Sequence, residues 1–285
     1  MPAALTQKPP SMPRPLYRLY ARSRPGLPGP RVLANSLPKS GTHLLSSVLP
    51  HYPRMMHAAI HYQLRLYAAG WDPDQYDLRR LGHDLRRVRM GQFATAHFEP
   101  IPAVKALLDR LGFKTIFIHR DPRDVVVSSA YFLVGRTDHF HHQRFTKILK
   151  SDDERLWHAI AGWPEDEHGP AMPSIGERLD RYRGWIIDDS VYSCRFEDLI
   201  GPRGGGDREA QLRHVQGIGS FINRPLSRQE AEVVAETAFS TTATTFRKGT
   251  IGDWRSHLTA EHKTLFKQVA GRQLIELGYE MSMDW

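Results

Sequence analysis

The sequence predicts an α/β fold, a three-layer sandwich in which a central parallel β-sheet is flanked by helices. Two strand–turn–helix units carry that reading. The apolar run Val32-Leu33-Ala34 enters the turn Ser36-Leu37-Pro38-Lys39-Ser40-Gly41 and leaves through Thr42-His43-Leu44, with Leu44, Leu45, Val48 and Leu49 at helical spacing. Lys114-Thr115-Ile116-Phe117-Ile118-His119-Arg120 is β-rich and mostly apolar, as in a strand buried on both faces. It runs into Asp121-Pro122-Arg123-Asp124, where Asp121 serves as a helix cap and Pro122 as the first helical residue. Both turns are basic or hydroxyl-bearing, which places an anionic ligand at the carboxyl ends of the strands.

Length and charge bound the rest. A chain of 285 residues can bury one large core or two small ones. Its 39 Lys and Arg against 31 Asp and Glu leave a net charge of +8, which favours an anionic ligand, substrate or surface. Cys194 is the one cysteine, so intrachain disulfides and cysteine-rich metal sites are excluded; its flanks Val191-Tyr192-Ser193 read as a buried thiol. No apolar run approaches a membrane span and the amino terminus lacks a secretory hydrophobic segment, so a cytoplasmic enzyme is expected.

In chain order, residues 1–30 form a basic arm punctuated by Pro9, Pro10, Pro13, Pro15, Pro25, Pro28 and Pro30, expected to be extended. The remaining 31–285 are expected to form one domain. Residues 61–69 and 78–88 have helical spacing and many arginines. Gln92 to His97 reads as a short buried strand ending on a histidine, and Ile101 to Leu111 as a helix opened by Pro102. Residues 140–165 and 174–188 read as helices, Ser190 to Arg195 as a strand, and Gly201 to Asp207 as a flexible connector. Residues 211–222, 227–239 and 259–277 read as helices. Before the last of them lies the basic, glycine-punctuated loop 246–254.

The first loop is suited to an oxyanion, because it presents main-chain N–H groups, the Lys39 charge and the Ser40 and Thr42 hydroxyls together. The triphosphate signature G-x-x-x-x-G-K-[ST] is not met, since Lys39 precedes Gly41. A bound phosphate or sulfate is expected, without ATP or GTP hydrolysis.

Pro38-Lys39-Ser40-Gly41-Thr42, Arg120 with Ser128 eight residues on, and Arg247-Lys248-Gly249-Thr250-Ile251-Gly252-Asp253-Trp254 stand in order along more than 200 residues. This combination resembles the sulfotransferases that use 3′-phosphoadenosine 5′-phosphosulfate (PAPS), the cytosolic type in particular, over about residues 31–285. The resemblance implies a P-loop NTPase-like fold and assigns roles to matching positions. Lys39 would contact the oxygen bridging phosphate and sulfur; Ser40, Gly41, Thr42 and His43 would cradle the 5′-phosphate. Arg120, Ser128, Arg247, Lys248 and Gly249 would hold the 3′-phosphate, and Phe239 and Phe196 would contact adenine. His97, 23 residues before Arg120, would be the general base, making His97, Lys39 and Ser128 the candidate catalytic group.

The sequence departs from the family pattern at two places. Thr95-Ala96-His97 stands where many members read Lys-Thr-His, and Leu44 where an aromatic often stacks on adenine. Glu99 is the alternative base. His139, His141 and His142 form a tempting cluster, yet no carboxylate or cysteine set completes a metal site and the reaction needs no metal. Two other readings stay open: a P-loop nucleotide kinase or NTPase with a non-standard loop, using Mg²⁺, and a non-catalytic binder of phosphorylated or sulfated ligands. The acceptor is expected to be a small-molecule, glycan or lipid-linked hydroxyl, with no nucleic acid and no integral membrane segment. Tyr62, Tyr67, Trp71, Tyr76, Phe140, Trp157 and Trp163, with Arg79, Arg80, Arg86 and Arg87, are candidates to face it.

Overall fold

A computed structural model describes residues 14–23, 26–67, 76–239 and 249–285. The central sheet has five parallel strands in the order β2-β3-β1-β4-β5: β1 Arg31–Ser36, β2 Met56–Gln63, β3 Gln92–His97, β4 Phe113–His119 and β5 Tyr192–Arg195. Alternation along β1 divides the core. Leu33 packs with Ala94, Ala96 and Phe117 into one apolar cluster, while Val32 and Ala34 pack with Phe93, Ile116 and Ile118 into another. Helices cover both faces, as strands buried on two sides require. On the first face lie α3 Leu78–Leu85, α4 Pro102–Arg110, α5 Pro122–Gly135, α6 Asp152–Ala161, α7 Ile175–Tyr182 and α11 Ala260–Glu276. On the second lie α2 Thr42–Val48, α8 Phe196–Ile200, α9 Arg208–Phe221 and α10 Arg228–Glu236. The three-layer parallel α/β architecture is the one expected.

The order of strands matters for function. After β1 the chain goes to the outer β2 and back to β3, then crosses to the other side of β1 for β4 and β5. The order therefore reverses at β1, and open α/β sheets bind their ligands outside the carboxyl ends of the strands at such a point.

Four local expectations are corrected. Residues 61–67 of the expected helix 61–69 are not α-helical: strand β2 runs to Gln63 and a 3₁₀ turn, Leu64–Tyr67, follows, while 68 and 69 lie outside the described residues. The pairing with β3 shifts register between His57 and His61, where Ala59 adopts φ 58°, so buried Ala58 and Tyr62 fall four apart and imitate a helical period. Residues 140–165 are broken into a π-type turn, Arg144–Ile148, and α6, which Ser151 and Glu154 start with a capping box. Gly201–Asp207 is a packed turn: a methyl group on Gly204 would sit 2.3 Å from Ile200 Cγ1 and 2.8 Å from the Gly249 carbonyl oxygen, so glycine is used there for close approach. Within the basic arm, Arg14–Ser23 is a helix, α1, where proline content suggested extended chain. Tyr17 Oη donates to the His57 carbonyl at 3.0 Å and Ala21 packs in a small cluster with Met56, so α1 covers the β2 edge. No helix among the described residues is long and apolar enough to cross a membrane.

Candidate active site

The loop after β1 is built around strain and close approach. Lys39 has φ 72°, in the left-handed region that costs a side-chain-bearing residue about 1–2 kcal/mol. Gly41 has φ 124°, and a Cβ there would meet Ile118 Cδ1 at 2.8 Å and Phe196 Cδ2 at 3.1 Å. Only glycine lets the loop lie this low over β4 and α8. Ser40 N donates to the Leu37 carbonyl at 3.1 Å, and Ser36 Oγ lies 2.7 Å from Thr42 Oγ1. Ser40 is fully buried, yet its Oγ has no hydrogen-bond partner among the described residues. A buried unpaired hydroxyl costs about 1–3 kcal/mol, which an oxyanion in the loop would recover. Lys39 Nζ sits 4.0 Å over the Phe132 ring of α5. Helix α2 is only seven residues long, so the cation and hydroxyls of the loop, more than the helix dipole, set its charge.

The second turn is tied to the third motif. Arg120 is buried; its Nη2 donates to the Thr250 carbonyl at 2.7 Å and to Asp124 Oδ2 at 3.3 Å. Its guanidinium lies 4.3 Å over the Phe196 ring, and its Nε is buried without a partner among the described residues. Asp124 Oδ2 also accepts from Gly252 N and Oδ1 from Trp254 N, both at 2.9 Å. Burial holds the Asp124 carboxyl above its usual range, against the pull of Arg120 and of those two amides. The Arg123 guanidinium lies against the two mutually perpendicular indoles of Trp254, at 4.0 Å, and Trp285, at 4.5 Å, while bonded to Asp121 and Glu280. Thus one helical turn of α5 orders the loop that follows residue 248. Ser128 lies one turn beyond Asp124 on α5, partly exposed.

Strand β3 delivers His97 beside Ser36. The register pairs Asn35 with Ala96, and Asn35 clamps the chain leaving β3: its Nδ2 donates to the Phe98 carbonyl at 2.9 Å and its Oδ1 accepts from Phe98 N at 2.8 Å. His97 Nδ1 lies 2.9 Å from the Ser36 carbonyl, which can only accept, so Nδ1 carries the proton and Nε2 keeps a lone pair. Burial, then the nearby His61, Lys39 and His43, push the His97 imidazole down to about 3 despite the Ser36 carbonyl, so the ring is neutral at ordinary pH. Glu99 is aimed elsewhere: its Oε1 lies 3.8 Å from Arg181 Nη1 of α7, and burial raises its carboxyl.

The remaining sequence-predicted residues fall as follows. His43 is on the first turn of α2, close enough to lower the imidazoles of His57, His61 and His97. Phe196 is buried behind the first loop. Phe239 is half-buried, 4.8 Å from the Arg203 guanidinium, at a cleft of about 300 Å³ lined also by Ile200, Pro202, Arg208 and Ala235. Gly249 approaches Gly204; Arg247 and Lys248 lie outside the described residues, as does Trp71. Leu44 is buried in the core. Tyr62, Tyr67 and Trp163 are also buried, with both tyrosine hydroxyls bonded to Asp84, whereas Phe140 and Trp157 are exposed. Arg79, Arg80, Arg86 and Arg87 are exposed and Tyr76 is half-buried. His139 and His141 belong to an aromatic stack with Phe140 and Trp163, and His142 bonds the Leu133 carbonyl; no group of metal ligands occurs among the described residues. Cys194 is buried, and burial pushes its thiol up. Asn35 and Asp124 were missed by sequence reasoning, although a polar residue inside the buried run 32–36 and a second carboxylate after Asp121 were the available signals.

Fold and site together define a class: an α/β protein with a lysine- and hydroxyl-bearing loop at the reversal point of a parallel sheet and a neutral imidazole beside it. Scanning the chain against profiles of known families finds no match. Curated relatives are found among the sulfotransferases. The chain is 26% identical over 188 residues to mouse sulfotransferase 2B1, 56% of this chain and 48% of that protein, so it spans about half the length of that relative. It is 21% identical over 273 residues to sulfotransferase 2A1 of Macaca fascicularis, covering 88% of this chain and 86% of that one. Among solved structures, mouse sulfotransferase SULT7A1 complexed with PAP superposes with a TM-score of 0.56 at 18% identity, covering 90% and 91% of the two chains. Retinol dehydratase, in complex with androsterone and the inactive cofactor PAP, gives 0.52 at 17% identity over 92% and 85%. In sequence and in fold the chain resembles the sulfotransferase family.

Proposed function

We propose that the chain is a PAPS-dependent sulfotransferase, moving a sulfuryl group to a hydroxyl or amine of an acceptor. The observation that carries this reading is the shared anchor at Ser36, whose carbonyl orients the His97 ring and whose hydroxyl meets Thr42 of the oxyanion loop. A base and a cationic cradle are therefore fixed to one residue. The Ser40 hydroxyl and Arg120 Nε, both buried without a partner among the described residues, and the low approach at Gly41 all suit a phosphorylated group. PAPS would supply the activated sulfuryl group.

His97 Nε2 takes the proton from the acceptor O–H as the oxygen–sulfur bond forms and the sulfur–phosphate-oxygen bond breaks. Lys39 stabilises the negative charge that the departing phosphate oxygen gains, helped by the donors of Ser40, Gly41, Thr42 and His43. Arg120, Ser128, Arg247, Lys248 and Gly249 hold the 3′-phosphate, with Asp124 keeping the last loop closed. Phe196 and Phe239 border the adenine. Catalysis is mainly positioning and charge stabilisation. The acceptor is a small-molecule, glycan or lipid-linked hydroxyl, and a cytoplasmic site of action belongs to the same reading. The P-loop kinase alternative finds less support, because the Asp121 carboxylate is held by Arg123 N, Nε and Nη2 at 2.8–3.3 Å and is engaged as a cap and ion pair.

The direct test is transfer of radiolabelled sulfuryl from PAPS to a panel of phenols, sterols, sugars and amines. Turnover without Mg²⁺, lost in His97→Ala, is expected. Mg²⁺-dependent phosphoryl transfer from ATP instead would overturn the reading.

A further inference from the structure

Strand β2 brings a second imidazole to the proposed base. The register aligns His61 with Thr95, and His61 Nδ1 lies 2.9 Å from Thr95 Oγ1. Thr95 and His97 are two apart on β3 and so share a face. The His61 ring stands edge-on to the His97 ring, with centroids 4.8 Å apart and planes at 78°. The bulge at Ala59 makes this possible, because the register shift between His57 and His61 re-aims the strand at the end that faces the site. His61 is exposed on its open side, while His97 is half-buried behind it.

We propose that His61 is a positioning residue for the base: anchored by Thr95, it holds the edge of the His97 imidazole and takes the first proton of the pair. This deepens the sulfotransferase reading and rests on His97 being the base. Two imidazoles this close do not both carry a charge readily, since like charges near 5 Å repel strongly even when partly screened. The more exposed ring accepts the proton first, and its charge then keeps His97 neutral to lower pH. The charged or titratable groups facing the pair are Lys39 from the first loop, His43 from α2 and His57 from β2, with Tyr182 of α7 at the His97 carbonyl. Lys39 and His43 act in the same direction as His61, lowering His97, so His61 adds to a field rather than creating it.

The test is an NMR titration of the imidazole C–H signals in wild type, His61→Gln and Thr95→Val, with PAP binding followed by calorimetry in each. Gln keeps a hydrogen-bonding group at Thr95 and removes the charge, at an exposed strand position that tolerates it. On acidification of wild type, His61 titrates before His97. In His61→Gln the His97 titration moves up by about one pH unit, so that its protonated fraction at a given mildly acidic pH is about tenfold larger. The acid limb of kcat/KM moves up with it. Thr95→Val, which releases the ring but keeps its charge, shifts His97 less than His61→Gln does. His97 titrating identically in wild type and His61→Gln, or before His61 in wild type, would overturn the proposal. Loss of PAP binding in wild type would overturn the sulfotransferase reading instead, leaving the titration result to judge the pair.

Discussion

The Arg120 guanidinium donates to the main-chain carbonyl of Thr250 at 2.7 Å, joining positions 130 residues apart. Asp124, four residues on in the first turn of α5, completes the clasp by accepting from Gly252 N and Trp254 N. The 249–254 segment is therefore tied to Arg120 and the first turn of α5, and through Ile251 N to the Gly204 carbonyl at 3.1 Å.

Removing that clasp has a defined cost. Asp124→Ala leaves the buried Arg120 charge, the buried Trp254 amide and the half-buried Gly252 amide short of a partner, and is expected to destabilise by about 3–5 kcal/mol. Asp124→Asn keeps one acceptor and should cost less. Chemical denaturation of the two variants checks the order, and equal stability of Asp124→Ala and wild type would remove the clasp from the account.

Ser40 separates binding from folding. Its hydroxyl is buried and unpaired among the described residues, so Ser40→Ala should leave the melting temperature unchanged or raise it. The same variant should weaken PAP binding about tenfold, by loss of a hydrogen bond to a charged oxygen. A drop in stability with unchanged affinity would show instead that the hydroxyl is structural.

His97→Ala should lower the turnover rate by about 10²–10⁴-fold while PAP affinity stays near wild type. Glu99→Gln should change the rate little, because the carboxylate is turned toward Arg181. The reverse ranking in steady-state assays would move the base to Glu99.

Stability should fall early on acidification. Burial, followed by neighbouring charges, pushes His57 and His119 down to about 4, so the folded state refuses protons that the unfolded chain accepts near its ordinary value of about 6.5. Their contribution is fully present above about pH 6.5 and is lost as pH falls toward about 4. His57 Nε2 is buried with no partner among the described residues, and the ring lies 4.7 Å from Phe93. His57→Phe should therefore flatten the acid loss, giving a larger gain in melting temperature at mildly acidic than at alkaline pH.

Much of this was legible in the sequence, for physical reasons that can be named. Apolar runs such as 114–118 announce a strand buried on both faces, and Asp121-Pro122 announces a helix start; both stand as read. The turn carrying Lys39 and Gly41 marked the end of β1 and the start of α2, because such a tight connection needs residues that accept positive φ. Strand β2 was hidden because a bulge at Ala59 breaks the two-residue alternation on which strands are recognised. The Gly-rich stretch 201–207 looked loose because composition reports freedom, whereas here glycine serves backbone contact with Gly249. Asn35 and Asp124 escaped notice because their importance lies in partners far along the chain, Phe98 and Trp254, which local pattern does not reveal.

The loop at Lys39 and the clasp at Arg120 are proposed to bind a 3′,5′-bisphosphorylated adenosine together. Calorimetric titration of the whole chain with PAP, beside ATP, with and without Mg²⁺, tests it most directly. Tight PAP binding that is independent of Mg²⁺, with ATP much weaker, is the predicted result. ATP binding as tight as PAP or tighter, and dependent on Mg²⁺, would contradict it and make the chain a nucleotide kinase or NTPase.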